Sequence, residues 1–331
     1  INLIIFNMRK VYLNGNFVDE VDAKVSIYDS ALQWGDMVFE ATRSFNKKQF
    51  KLREHLERLY KGIKILEIPM KIGIDELEEI CHETVKINEP FFNENDEHRL
   101  IIEVSRGPLG IYSPIFKDKM EPTVIVADFP LKFTVSYMSK YFKTGINCVV
   151  TNQKAIPSRY LDSKMKHRNR MFYQMANIEA SKFSGNNNWA LLLDENNYVA
   201  EGSGNNFFIV KDKKIITPKG KDILRGISRN YIFELAEQLK LECVEDNFET
   251  FDIYEAQEAF VTATPFCILP VTSLNSLKIG LGEMGEITKQ LLKKWSENVD
   301  LDIKKQMEEY SVEVDKILGN APTPLVFNPK K

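Results

Sequence analysis

Cysteine is scarce and unpaired in this chain: Cys81, Cys148, Cys243 and Cys267 are the only four in 331 residues, and none belongs to a CxxC pair. That excludes a disulfide-stapled miniprotein and points to reduced, packed thiols in a cytoplasmic protein. The four histidines, His55, His82, His98 and His167, show neither HExxH nor a Cys/His spacing, so no metal site is expected. Apolar runs are short and broken by Pro or Thr, well under the ~20 residues of a membrane helix, so no membrane span is expected. An excess of one charge is also missing. With 44 Lys plus Arg against 47 Asp plus Glu the net charge is −3, and no basic stripe offers a footprint for nucleic acid. Residues 1–7 are too short and wrongly flanked for a secretory signal.

What is present is material for two cores. Hydrophobic residues make up 44% of the chain, and at roughly 100–200 residues per domain its length suggests two domains. Asn14-Gly15 between two β-prone runs, 11–13 and 16–18, signals a hairpin. Leu56, Leu59, Tyr60, Ile63 and Leu66 follow helical spacing, Ile74–Val85 gives a second helix, and Arg99–Ser105 and Pro122–Asp128 read as strands. Further on, strand pairs are expected at 190–193 with 198–200 and at 207–210 with 214–217, followed by a helix with Ile227, Tyr231, Ile232, Leu235, Ala236 and Leu239 on one stripe. The organisation is therefore α/β of the α+β type, with mixed, largely antiparallel sheets: a small domain over 8–130, a linker over 131–145, a second domain over 146–305 and a peripheral tail over 306–331.

Gly280-Leu281-Gly282-Glu283-Met284-Gly285 matches GxGxxG by letter. Only 46 residues follow it, too few for a doubly wound sheet, so a Gly-rich turn before a helix is the expected reading. A longer pattern carries the chemistry: Glu201-Gly202-Ser203-Gly204-Asn205-Asn206-Phe207-Phe208, Ile215-Ile216-Thr217, then Leu224-Arg225-Gly226-Ile227-Ser228-Arg229. Here the chain resembles the class IV, or fold type IV, pyridoxal-phosphate enzymes, which include branched-chain aminotransferases, D-amino-acid aminotransferases and aminodeoxychorismate lyases. Trp34-Gly35-Asp36-Met37-Val38-Phe39-Glu40, His55-Leu56-Glu57-Arg58-Leu59, Lys166-His167-Arg168-Asn169-Arg170 and Phe260-Val261-Thr262-Ala263-Thr264 keep the family's order.

The resemblance implies a two-domain enzyme holding pyridoxal 5'-phosphate. It makes Lys166 the residue that forms the aldimine with the cofactor and shuttles the proton in a ping-pong exchange. Lys166 stands thirteen residues before Glu179-Ala180, the spacing of the family's segment, whereas Lys164 stands fifteen before it; on surface statistics alone both would be ordinary solvated lysines. Glu201 corresponds to the acid that keeps the pyridine nitrogen protonated. Arg58, Ile227, Ser228 and Thr264 match phosphate ligands, with Gly226-Ile227-Ser228 opening a helix whose amides and dipole favour a dianion. Leu224 matches the apolar residue against the ring. By pattern alone Arg58 would be solvated and Leu224 a core leucine.

Glu40 follows Phe39 where the lyases carry Thr, which resembles the V-F-E-G-x-R run of branched-chain aminotransferases and favours transamination of an amino acid with a 2-oxo acid over lyase chemistry. Aminodeoxychorismate lyase and a D-amino-acid or amine transaminase are the alternatives. The Arg-x-His of the D-amino-acid enzymes is missing after Ser105-Arg106-Gly107, and the branched-chain Tyr-x-Arg is not matched at 98–100. Pro265 has no N–H to offer a carboxylate. Arg99, Arg106 and Tyr112 are the replacement candidates, and Trp34, Phe39 and Pro265 complete the expected substrate set. A homodimer is expected because relatives build the site at a subunit interface.

Overall fold

A computed structural model describes residues 8–117, 120–185 and 187–318. Residues 1–7 and the end of the expected tail, 319–331, lie outside them. The chain divides into two compact units, one containing the described residues up to Leu131 together with Met165–Asn169, the other Lys132–Lys164 and Arg170 onward.

The first unit is built on the strands β1 (Lys10–Leu13), β2 (Asn16–Asp19) and β3 (Met37–Ala41), a small hairpin of β4 (Ser44–Phe45) and β5 (Lys48–Gln49), and the longer β6 (His98–Ser105) and β7 (Thr123–Pro130). Asn14 and Gly15 both take positive φ, the geometry a two-residue hairpin needs between β1 and β2. The main sheet is antiparallel with the order β2-β1-β7-β6-β3. Its helices are α1 (Ser30–Trp34), α2 (Leu52–Ile65), α3 (Ile74–Asn88) and a short α4 (Ser113–Phe116). Leu100, Ile102 and Val104 on β6 and Val38 on β3 share one buried face, and α2 packs on β3 through Leu56, Leu59 and Ile63. At the open edge of β3 the chain returns: Phe39 N–H donates to the Lys166 carbonyl at 2.9 Å and Arg168 N–H to the Met37 carbonyl at 3.1 Å. Lys166 is thus anchored in the first unit with Arg58, on the same side of the division although the expected linker separates them in sequence.

One charged cluster is buried where α2 meets β3. Glu40, fully buried, accepts from Arg58 Nε at 2.6 Å and Nη2 at 2.9 Å and from His55 Nδ1–H at 2.7 Å. Spacing of i and i+3 puts His55 and Arg58 on one helix face, which the apolar stripe alone does not reveal. Burial pushes the Glu40 carboxyl up, but Arg58 and His55 together outweigh it and hold it well below the usual carboxylate range. Burial lowers His55, and the Glu40 charge does not fully offset that against Arg58 and Lys166.

The second unit opens with α5 (Lys132–Val135), a 3-10 turn (Ser136–Met138) and α6 (Tyr141–Thr144), then β8 (Ile146–Val150) and α7 (Met171–Ala180). Strands β9 (Asn188–Leu193), β10 (Val199–Gly202), β11 (Asn206–Lys211) and β12 (Lys214–Thr217) follow, then α8 (Ile227–Gln238), β13 (Cys243–Glu245), α9 (Thr250–Glu255), β14 (Glu258–Ala263), β15 (Cys267–Leu274), β16 (Leu277–Lys278), α10 (Glu286–Asn298) and α11 (Ile303–Leu318). The sheet order is β10-β9-β8-β15-β14-β11-β12-β13, and a further β10–β11 pairing closes six of these strands into a ring. β8 runs parallel to β9 and β15, and β12 to β13; the other pairs are antiparallel.

Two expected boundaries change. The stretch 131–145 is not a loose linker, because Leu131, Val135, Met138, Tyr141 and Phe142 are all buried. Nor is the chain from 306 to 318 peripheral. Ile303, Met307, Tyr310 and Val314 repeat at i, i+4, i+7 and i+11, and this buried stripe packs α11 against α5 and the 3-10 turn. The α11 stripe was hidden by the charged residues interleaved with it. The GxGxxG segment is a turn before α10, whose N-terminal amides are taken: Glu258 accepts from Ile287 N–H at 2.9 Å and from Thr288 N–H at 2.8 Å and Oγ1 at 2.7 Å. Gly285 is required because a Cβ there would stand 2.0 Å from the Glu258 carboxyl carbon. Among the described residues no helix is long and apolar enough to cross a membrane.

Two expectations follow. Glu258→Ala leaves those donors without their acceptor and should lower stability by about 1–3 kcal/mol, read as a lower Tm. The Glu40 cluster should make the chain acid-sensitive. A depressed carboxyl stabilises fully above its ordinary value of 4.5 and loses that contribution as the pH falls below it, while a depressed imidazole loses its share as the pH falls below 6.5. In urea unfolding, Glu40→Gln should cost about 3–5 kcal/mol at pH 7, the gap narrowing below about pH 4.5; a gap constant down to pH 3 would exclude an ionised Glu40.

Candidate active site

In the first unit, backbone pairing with β3 delivers Lys166. Its Nζ lies 4.9 Å from the centre of the Phe39 ring, and the Arg168 guanidinium lies 3.6 Å from the same ring. Lys164, by contrast, belongs to the second unit and pairs with Asp162 at 2.8 Å. Asn169 donates to the Gly35 carbonyl at 3.0 Å, so the Trp34-Gly35-Asp36 and Lys166–Arg170 motifs meet. Arg58 is nearly buried and its plane is fixed by Glu40, which takes two of its five donors. Glu40 and His55, which hold Arg58 in place, are not among the substrate and cofactor sets above. The signal available was their i,i+3 and strand-alternation geometry.

The remaining first-unit candidates separate. Arg99 and Glu103 alternate on the β6 face that β3 extends with Met37 and Phe39. Burial lowers the Arg99 pKa, the neighbouring Arg168 charge lowers it further, and Glu103 opposes both. Glu103 is itself paired with Arg168, and the Arg99 side chain makes no hydrogen bond or ion pair among the described residues. Arg106 is structural: it binds Asp36 at 2.7 Å and the carbonyls of Leu66 at 2.6 Å and Glu67 at 3.0 Å, closing the end of α2. Tyr112 packs its ring 4.5 Å from that of Tyr28, and Trp34 is 72% exposed at the end of α1.

In the second unit the long motif folds onto one carboxylate. Buried Glu201 on β10 accepts from Tyr173 Oη at 2.5 Å, from Asn206 Nδ2 at 3.2 Å and from Leu224 N–H at 3.0 Å. Asn206 also donates to the Leu224 carbonyl at 2.9 Å. Glu201 and Asn206 therefore hold the Leu224 backbone from both sides and set the loop that enters α8. Burial raises the Tyr173 pKa well above its ordinary value and the adjacent Glu201 raises it further, so the phenol keeps its proton and donates to Glu201. Tyr173 and Asn206 were not among the expected site residues. Asn206 lay inside the motif, but Tyr173 was marked by nothing except its place on α7.

Helix α8 starts at Ile227 with Gly226 as its cap residue, and no side chain caps it. A Cβ at Gly226 would come 2.2 Å from Asn206 Oδ1, so any other residue there would displace the Asn206 side chain. Where Glu258 accepts from the first turn of α10, no side chain among the described residues caps the first turn of α8, which holds Ile227 and Ser228. Thr264 and Pro265 lie in the three-residue turn that joins β14 to β15 through the Ala263–Cys267 pair.

These donor and acceptor sets fit pyridoxal phosphate. A buried carboxylate backed by a phenol and an amide suits a protonated ring nitrogen, and an uncapped helix start beside glycine suits a phosphate.

Residues 37–274 match the family described as amino-transferase class IV. The chain is 34% identical over 290 residues to a putative branched-chain-amino-acid aminotransferase of Methanocaldococcus jannaschii, covering 87% of this chain and 96% of that protein. The crystal structure of the Escherichia coli branched-chain amino acid aminotransferase superposes with a TM-score of 0.77 at 27% identity, covering 86% of this chain and 93% of that one. A Thermoproteus uzoniensis branched-chain aminotransferase with norvaline gives 0.75 at 26% identity, covering 91% and 96%. A further branched-chain amino acid aminotransferase, complexed with N-(5'-phosphopyridoxyl)-L-glutamate, also gives 0.75 at 26% identity, covering 92% and 97%. The expected α/β fold, transaminase chemistry and pyridoxal phosphate dependence all stand, and the chain belongs to the class IV aminotransferases.

Proposed function

We propose that this aminotransferase exchanges an amino group between a branched-chain L-amino acid and a 2-oxo acid, and that it works as a cytoplasmic homodimer. The observation that carries the substrate class is the similarity over most of the chain to proteins named branched-chain-amino-acid aminotransferases. Phe39 and Met37, apolar and on the face that also carries Arg99, support it. The four cysteines form no disulfide among the described residues, which accords with a reducing compartment.

The cofactor supplies an aldehyde that joins an amine and a ring that accepts electrons when a proton leaves the substrate α-carbon. Toward it, Lys166 would hold the aldehyde end, and its Nζ would take the α-carbon proton of the amino donor and return it. Glu201, kept ionised by Tyr173, Asn206 and the Leu224 N–H, would hold the proton on the ring nitrogen. At about 4 Å and an effective dielectric near 20, such a pair is worth on the order of 4 kcal/mol, enough to keep that proton at neutral pH. Leu224 would pack on the ring, while Ile227, Ser228, Thr264 and Arg58 would hold the phosphate. Arg99, half-buried and without an acidic partner of its own, would take the substrate carboxylate in place of the N–H that Pro265 lacks.

A donor screen tests this. L-leucine, L-isoleucine and L-valine should each convert the cofactor to its amine form and release a 2-oxo acid. D-alanine and simple amines should do so poorly, and aminodeoxychorismate should release no pyruvate. Lys166→Ala should lower turnover by roughly 10²–10⁴-fold or more. Arg99→Ala should raise KM for the amino acid roughly 10–100-fold, the loss expected of one charged hydrogen-bonding group. Preference for a D-amino acid, or an unchanged KM in Arg99→Ala, would overturn the substrate assignment.

A further inference from the structure

On β14, Thr262 stands directly opposite Asn206, and Asn206 stands directly opposite Glu201. Opposed residues on antiparallel strands share a sheet face, so three polar side chains form one row across β10, β11 and β14. Two are satisfied: Glu201 by its three donors, Asn206 by Glu201 and the Leu224 carbonyl. The third is not. Thr262 is 1% exposed, and its Oγ1 has no hydrogen-bond partner among the described residues.

That hydroxyl is anomalous. A threonine hydroxyl rotates freely to find a partner, and buried without one it costs stability that valine, of the same shape, would not. Packing does not call for it either, because the next residues on the same face, Phe208 and Phe260, stack at 4.8 Å and need nothing polar. In the other direction, two residues on, the strand reaches the Thr264 turn. The row therefore turns polar only where the phosphate and ring ligands gather.

We infer that Thr262 is a cofactor-positioning residue whose hydroxyl finds its hydrogen-bond partner when pyridoxal phosphate fills the face shared with Glu201 and Asn206. This rests on the assignment of Glu201 to the ring nitrogen. A group satisfied only in the loaded protein destabilises the empty chain and favours the loaded one, so its removal must act with opposite signs on the two.

The experiment compares wild type, Thr262→Val, Thr262→Ser and Glu201→Gln, each stripped of cofactor and then titrated with pyridoxal phosphate by visible absorbance. Stripped Thr262→Val should melt about 2 °C or more above wild type. It should also bind pyridoxal phosphate roughly tenfold more weakly, a loss of about 1.4 kcal/mol. Thr262→Ser should keep wild-type affinity. A Thr262→Val chain that melts lower than wild type, fails to fold or binds the cofactor as tightly overturns the inference. So does an equal loss in Thr262→Ser, which would make shape rather than the hydroxyl responsible. An unaltered cofactor spectrum and affinity in Glu201→Gln would overturn the underlying assignment; loss there with Thr262→Val unchanged overturns Thr262 alone.

Discussion

A carboxylate taken out of water must be met by donors or give up its charge, and the second unit is organised around meeting that demand at Glu201. Its three donors come from three places: Tyr173 on α7, Asn206 at the start of β11, and the backbone of Leu224 in the loop before α8. Each fixes an element. Because Asn206 also holds the Leu224 carbonyl, the loop cannot shift without releasing the acid. The start of α8 follows directly, pressed against the same Asn206 through Gly226. Glu201 and the start of α8, which under the proposed function would serve the ring and the phosphate, are thus positioned by one hydrogen-bonded unit, which accounts for so many constrained positions between 201 and 229.

The two glycine-led helices of this unit show how a charge decides what a terminus can do. Both begin after a glycine forced by a close neighbour, Asn206 at Gly226 and Glu258 at Gly285. At α10 that neighbour is an acid that occupies the first amides. At α8 it is an amide whose donor group is committed to Glu201 and Leu224, and no side chain among the described residues caps the terminus. The glycine letters looked alike in sequence. What separated them was an acid 27 residues upstream of one and a neutral amide 20 residues upstream of the other, a difference visible only once the strands are paired.

Legibility followed the same logic. Hairpins with Asn-Gly or short polar turns, and helices with a clear apolar stripe, are written locally and were readable. Glu201, Leu224, Ile227 and Ser228 were singled out only through the family resemblance, since by pattern alone Leu224 would be a core leucine; the structure gathers Glu201 and Leu224 around Asn206. Tyr173 was not singled out, since its link to Glu201 depends on α7 packing against β9, a long-range event with no local signature. Glu40 was noticed as a mark of reaction type, but its partnership with Arg58 and His55 required both strand and helix faces to be known. The buried stripe of α11 was missed for another reason: between Ile303 and Val314 the exposed positions are largely Lys and Glu, and their charge masks a four-residue apolar pattern.

A near-neutral chain that handles anions has to choose where its positive charge is left uncompensated. In the first unit Arg58 is matched by Glu40, Arg168 by Glu103 and Arg106 by Asp36, each pairing fixing a guanidinium plane while cancelling most of its field. Arg99 has no such partner, and its neighbours on that face include the paired Arg168. Under the proposed function, this half-buried guanidinium, without an acid of its own among the described residues, would meet one carboxylate. On the same face Phe39, Met37 and Ile101 supply apolar side chains, interleaved with Glu103, which is committed to Arg168. Under the proposed function this balance has a direct consequence for specificity: the carboxylate end of a substrate meets charge and its side chain meets carbon, the combination that suits an aliphatic amino acid and leaves a polar one without partners for its desolvated groups.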